Sequence, residues 1–269
     1  MKHVTSYIFL IIAFLLFGVN GAAAQKDDCP FTVTDKIDAN ISYDKENKVL
    51  SIEGSGNVTI EGDENADSSV RFSNYHTLIS MERNDAVHSL SAKALTGEIY
   101  NNFVWWDAEV YQTPVFIQTM PETVRNVIKY RYNLLDSARE NAREEGRIGA
   151  RFPFTSLVTG KETVWIYVRH PFMQIHINSD IALNIINYLR CTGDEEFFLS
   201  YGMEILLEIA RYWTTRVSYS EADSRYEILT VTGTDEHHPY VDNNAYTNYS
   251  VYIVLKEAVR LYTKYRSSC

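Results

Sequence analysis

The stretch Thr232-Gly233-Thr234-Asp235-Glu236-His237-His238, followed by Val241-Asp242-Asn243-Asn244-Ala245-Tyr246-Thr247-Asn248, gathers carboxylates, imidazoles and amides well beyond what a turn requires. Glu236 has the clearest chemistry. A glycosidic oxygen leaves poorly unless it is protonated, and a carboxylic acid kept neutral by its surroundings can supply the proton. Asp235 helps only if the two carboxyls share a field, because adjacent side chains of an extended loop point opposite ways. Asp235, His238, Asn243 and Asn244 are candidate substrate-binding groups; the plainer alternative is an acidic turn that caps a helix. A metal is not expected here, since zinc ligands converge from set spacings and adjacent loop histidines rarely do.

Trp105-Trp106-Asp107-Ala108-Glu109 pairs flat aromatic surface with carboxylates. A sugar suits that combination, stacking its C–H face on an indole while its hydroxyls bond an acid. The alternative is that the tryptophans anchor a helix start and Asp107 caps it. No Ser-His-Asp order, phosphate-binding P-loop or dinucleotide-binding glycine fingerprint occurs.

The elements that must position these residues change character along the chain. Residues 25 to 62 are polar and turn-rich, and Lys48 to Glu53 and Asn57 to Glu61 alternate apolar and polar around Gly54-Ser55-Gly56, which predicts a hairpin. From Asp63 the period becomes helical. One helix is expected from Pro121 to a cap at Gly146, with Val124, Val127, Ile128, Leu135, Ala138 and Ala142 on its inner stripe. A second carries Ile181, Ile185, Tyr188 and Leu189 and stops at Thr192-Gly193. A third starts near Asp194 with Ile205, Ile209, Tyr212 and Trp213, and the last buries Val251, Val254, Leu255, Ala258 and Tyr262. Helices with short connections pack as an all-α array. The irregular segments 102 to 109, 148 to 160 and 229 to 248 fall between them, where sites sit on loops over a rigid scaffold.

Residues 1 to 24 carry an apolar run and end in Gly21-Ala22-Ala23-Ala24, as a cleavable signal peptide would, so a secreted, periplasmic or extracellular location is expected. No membrane partner is expected after cleavage. The formal net charge of −10 argues against a nucleic-acid partner. Cys29, Cys191 and Cys269 allow at most one internal disulfide, and Cys191 is expected to be a buried free thiol. Sequons occur at Asn40, Asn57 and Asn248, the last inside the polar motif, where a glycan would block a site.

Several blocks stand in a telling order. They are Ile60-Glu61-Gly62-Asp63 with Val70-Arg71-Phe72; Ser91 to Glu98 and Trp106 to Glu109; Tyr130-Arg131-Tyr132 with Ala138 to Ala142; Gly149 to Phe154; Ile175-His176-Ile177; Thr192 to Phe197; and the Thr232 motif. On these, residues 58 to 269 resemble the catalytic region of glycoside hydrolase family 65. That family includes maltose, trehalose and kojibiose phosphorylases, acid trehalase and a collagen-glucoside glucosidase. The resemblance implies an (α/α)6 barrel, cleavage of an α-glucosidic bond with inversion, Glu236 as general acid, and Trp106 and Asp107 holding the glucosyl unit. It also places Phe154 where a sugar-stacking Trp is usual, Thr155 where Glu is usual, His237 where Tyr is usual, and Asn102-Phe103 where Gly-His is usual.

A twelve-helix barrel at about 12 residues per helix plus connections needs roughly twice this chain. The expected architecture is therefore all-α: an incomplete (α/α)6 barrel over residues 58 to 269, preceded by a short β or linker segment over 25 to 57. The expected partner is an α-linked glucosyl disaccharide or glucoside. No cofactor is expected, and inorganic phosphate is the co-substrate if the enzyme is a phosphorylase rather than a hydrolase. The competing reading is a secreted remnant without catalysis that binds sugar or protein.

Overall fold

The computed structural model describes residues 32–34, 40–44, 49–53, 59–61, 64–80, 85–93, 99–164 and 170–266. The expected leader, Cys29, Cys269, the Gly54-Ser55-Gly56 turn, the Asn57 sequon and Ala94 to Glu98 lie outside them. The chain divides into two compact units, Met1–Ser80 and Met81–Cys269.

In the first unit β1 (Thr32–Thr34) pairs antiparallel with β4 (Thr59–Glu61), and β2 (Asn40–Asp44) with β3 (Val49–Glu53). The expected strands exist, but Val49–Glu53 and Thr59–Glu61 do not pair with each other. Alternation of period two decides which side chains share a face and is silent about which strand lies alongside. Helix α1 (Glu64–Leu78) follows, with an Arg71–Asp67 ion pair of 2.8 Å at i,i+4 and no buried residue.

The second unit is an all-α array. Helix α2 (Thr113–Thr119) carries a proline in its first turn, and α3 (Pro121–Asn133) begins on another, where the absent N–H costs nothing. The single helix expected from Pro121 to Gly146 is two: the chain tightens at Leu134 (φ −96°, ψ 3°) before α4 (Leu135–Glu144). Leu134 and Leu135, on either side of the break, are both buried. Gly146 closes α4 at φ +70°, its N–H bonding Arg143 O and the next N–H bonding Ala142 O.

Helix α5 (Ile177–Thr192) stops at a left-handed Gly193, as the stripe predicts. Asp194 then accepts the Phe197 N–H at 3.3 Å and starts the turn Glu195–Phe197. A wide turn, Phe198–Gly202, leads into α6 (Met203–Arg216). A short hairpin, β5 (Ser218–Ser220) with β6 (Arg225–Glu227), precedes α7 (Ala245–Tyr265). Helix α5 is central, packing on α2, α3, α6 and α7. The core runs through Val124, Val127, Ile181, Ile185, Ile209, Trp213, Val251 and Val254.

Two inward assignments are corrected. Tyr262 is exposed, and Leu261 and Tyr265 take the buried positions of that turn. Cys191 is a free thiol on the exposed side of α5, because Tyr188 and Leu189 already occupy the inner face of its last turn.

Candidate active site

Three irregular segments build one cleft. Val104 is bridged to Ser91 on one side and to Ser156 on the other, exchanging backbone bonds with Ser156 at 2.9 and 3.0 Å. This ladder fixes the loop of Trp105, Trp106 and Asp107 beside the loop of Phe154. The third segment is closed by Val231 and Val241, whose N–H groups reach each other's carbonyls at 2.9 and 2.8 Å. Thr232 N–H donates to Met173 O at 3.0 Å and ties that loop to the chain leading into α5.

The cleft has a volume of about 420 Å³ and is lined by Ala92, Lys93, Tyr100, Trp105, Trp106, Asp107, Phe154, Val164, Pro171 and Glu236. Trp106, Asp107, Phe154 and Glu236 were expected at the site and meet here. Asp107 stands before the wide helical turn Ala108–Gln112 and makes no side-chain capping bond, so the capping alternative does not hold. Its carboxyl is pushed above the usual value by burial; the Lys93 ammonium opposes and the Glu236 carboxylate adds to the rise. The Asp107 and Glu236 carboxyls thus lie in one field.

Glu109 has a different fate. Its carboxylate is buried and takes two bonds from Arg131, Nε to Oε1 at 2.7 Å and Nη2 to Oε2 at 3.1 Å. Arg131 Nη1 also donates to Ser156 Oγ at 3.1 Å, which braces the cleft ladder from behind. A carboxylate held on both oxygens by a guanidinium is unsuited to activate water.

Phe154 is buried and meets Trp105 edge to face at 5.2 Å. Its loop is held by Glu162, whose Oε2 accepts the Phe154 N–H at 2.8 Å and whose Oε1 accepts the Thr155 N–H at 3.0 Å and hydroxyl at 2.8 Å. Glu162 carried no periodic or motif signal in the sequence.

The Thr232 motif divides into a part that lines the cleft and a part that supports its loop. Asn244 caps α7, its Oδ1 accepting the Thr247 N–H at 3.0 Å. Asn243, at φ 55°, accepts the Ile228 N–H at 3.1 Å and donates to Glu227 at 3.2 Å. Asp235 and His238 are exposed and face each other at 2.6 Å, and Asp235 also accepts the His237 N–H at 3.0 Å. These bonds hold the Asp235 carboxyl below its usual value. None of these four residues lines the cleft. The Asn248 amide donates to Asn243 Oδ1 at 3.4 Å, so the sequon nitrogen is engaged in this loop.

Glu236 lies exposed at the cleft mouth and accepts from Gln174 Nε2 at 2.7 Å. Gln174 Oε1 stands 3.3 Å from His176 Nε2, and His176 Nδ1 stands 2.7 Å from Asp180 Oδ2. Tyr246 OH donates to Asp180 Oδ1 at 2.7 Å. Gln174, His176 and Asp180 are all buried. His176 stands inside one of the ordered blocks, but no role for Gln174, His176 or Asp180 is legible there; the i,i+4 spacing of His176 and Asp180 at a helix start is the local signal of their contact.

Residues 71–269 match the model of the glycosyl hydrolase family 65 central catalytic domain. The chain is 54% identical over 211 residues to a 3-O-α-D-glucosyl-L-rhamnose phosphorylase of Lachnoclostridium phytofermentans, covering 78% of this chain and 28% of that protein. It is 42% identical to a kojibiose phosphorylase of Thermoanaerobacter brockii, covering 76% and 28%. A solved structure from the human microbiome that bears the name kojibiose phosphorylase superposes with a TM-score of 0.68 at 28% identity, covering 72% of this chain and 28% of that one. The helical array is thus part of an (α/α)6 barrel, and the chain spans about 28% of the length of the relatives it matches.

Proposed function

The chain belongs to glycosyl hydrolase family 65, and on that premise we propose that its cleft is the glucosyl-binding, bond-cleaving end of a site for phosphorolysis of α-glucosides, with Glu236 as general acid. The observation that carries this reading is the facing of Glu236 and Asp107 across one cleft walled by Trp105 and Trp106. The indole faces take the C–H surface of a glucosyl ring. Asp107 takes its hydroxyls. Glu236 passes its proton to the glycosidic oxygen as the bond to C1 breaks, and the aglycone leaves as an alcohol. A phosphate oxygen attacks C1 from the opposite side, which converts an α-glucoside to β-glucose 1-phosphate by inversion.

Phosphate is favoured over water on two grounds. The relatives bear phosphorylase names, and Glu109, the carboxylate next nearest in sequence to Asp107, is committed to Arg131. Because Glu236 is exposed in the free protein, the dry surroundings a general acid needs come from the bound sugar.

The test is incubation of the purified chain with kojibiose, trehalose, maltose and 3-O-α-glucosyl-rhamnose, with and without phosphate. Phosphate-dependent release of glucose 1-phosphate is expected, falling by about 10²- to 10⁴-fold in Glu236→Gln. Undiminished turnover in that variant removes Glu236 from the acid role, and phosphate-independent release of glucose replaces phosphorolysis by hydrolysis. Sugar binding with no turnover by either route supports a second reading, a glucoside-binding module, which the exposure of Glu236 favours.

A further inference from the structure

Gln174 sits between an ionisable group at the cleft mouth and one in the core. Its Nε2 donates to Glu236 Oε1 at 2.7 Å, which leaves its Oε1 facing His176 Nε2 at 3.3 Å. An amide has one donor end and one acceptor end, and it can exchange them by a half-turn. We propose that Gln174 links the proton on the facing oxygen of Glu236 to the proton on His176 Nε2, because both ends of its amide are satisfied only when one of those two atoms carries a proton and the other does not.

With the facing oxygen of Glu236 bare, as the observed hydrogen bond requires, the Gln174 oxygen needs a proton on His176 Nε2. His176 Nδ1 faces Asp180 Oδ2 at 2.7 Å, and the other Asp180 oxygen accepts from Tyr246 OH at 2.7 Å, so one further proton lies between Nδ1 and Oδ2. With a proton on the facing oxygen of Glu236 instead, that hydroxyl donates to the Gln174 oxygen and the turned amide donates to a bare Nε2. His176 and Asp180 then share only the proton between Nδ1 and Oδ2. The number of protons on these facing atoms is the same in both arrangements. Both arrangements are fully bonded; with both facing atoms protonated, or neither, one end of the amide meets its own kind.

The surroundings favour an internal exchange over a change of charge. Asp180 is buried in the first turn of α5, where it offsets the penalty that a helix N-terminus places on an imidazolium at His176. The rings of Trp106 and Phe154 stand edge-on to His176 at 4.9 and 5.9 Å and keep water off it. The Glu109–Arg131 pair and Tyr111 lie within the field of Asp180, and Asp107, with Lys93 beside it, lies within that of Glu236. Each is a fixed background against which Gln174 selects the proton state. Resting on the reading of Glu236 as general acid, the consequence is directional. An ionised Glu236 can only accept from Gln174, which is the observed orientation of the amide, so Gln174 and His176 stabilise the carboxylate that forms as the bond breaks. Gln174 is a positioning residue.

The test needs no turnover. The full chain is labelled with 15N in its histidines, and the His176 ring nitrogens are followed by NMR against pH. In Glu236→Ala the Gln174 amide is free to present either end, so the His176 Nε2 proton is expected to be lost at lower pH, its binding weakened by about tenfold, the size of one neutral hydrogen bond. Asp107→Asn removes a cleft carboxylate that makes no bond to Gln174, and is expected to shift His176 by much less. Gln174→Met is expected to match Glu236→Ala, and because Glu236 is exposed the Ala variant stays readable if the Met variant fails to fold. Unchanged titration of His176 in Glu236→Ala, or an equal shift in Asp107→Asn, overturns the link. A lost link with Glu236→Gln still inactive leaves the acid assignment standing, and a retained link with full activity in that variant removes only the acid.

Discussion

Asn244 packs its amide against the backbone of Gly233 so closely that a Cβ on Gly233 would lie 2.3 Å from Asn244 Nδ2 and 2.6 Å from Cγ. The residue that caps α7 thereby presses on the loop that presents Glu236, and only glycine admits the contact. The loop and the helix are set as one piece.

Gly233→Ala must therefore displace the capping amide or the loop. Overpacking of this kind costs about 1–3 kcal/mol. Urea denaturation is expected to show that loss, accompanied by a weaker α7 cap. Stability equal to the parent would show that the two segments move independently.

Asp107 gives a pH dependence with a definite sign. Burial, with Glu236 adding and Lys93 opposing, raises its carboxyl in the folded chain. The folded state then binds more protons than the unfolded one between the ordinary carboxylate value and the raised one, so stability falls as pH climbs through that window. Asp107→Asn should abolish this slope: the variant gains on the parent above the window and not below it. A difference in thermal midpoint between variant and parent that stays constant across mildly acidic pH would contradict the sign.

The Glu109–Arg131 pair is buried on both sides. Arg131→Met leaves an unpaired buried carboxylate and is expected to cost about 3–5 kcal/mol. Combining it with Glu109→Leu should recover much of that loss. A double-mutant cycle by denaturant unfolding checks the coupling, and additive single effects would mean the pair is energetically idle.

Tyr100, Asn101 and Asn102 take φ values of 66°, 52° and 56° in succession at the edge of the cleft. Left-handed backbone at an L-residue is costly, least so for Asn. Asn102→Gly is expected to stabilise the chain by up to about 1 kcal/mol while leaving the Tyr100 ring, and with it sugar affinity, in place. Calorimetry with and without a glucoside separates the two effects, and a destabilised variant would mean that the Asn102 side chain supports the turn.

The sequence by itself determined most of the helical stripes, their caps at Gly146 and Gly193, and, through an ordered set of blocks, the family and the candidates Glu236, Trp106, Asp107 and Phe154, which the structure places on one cleft. Those features are local: a period of 3.6 residues, a glycine with positive φ, or a run of adjacent residue types is written in neighbouring positions. The tertiary structure alone decided which member of a polar motif lines the cleft and which support its loop. Asn244, Asp235 and His238 satisfy one another or the backbone three residues away and Asn243 the Ile228 N–H 15 positions back, whereas Glu236 finds Gln174 across 62 positions. It alone also showed that Glu109 is spent on Arg131, that Glu162 holds the Phe154 loop, and that Val49–Glu53 pairs backward rather than forward. The physical reason is common to all of these. A hydrogen bond between side chains far apart in sequence depends on where several helices place their ends, and no periodicity along one segment encodes the position of another.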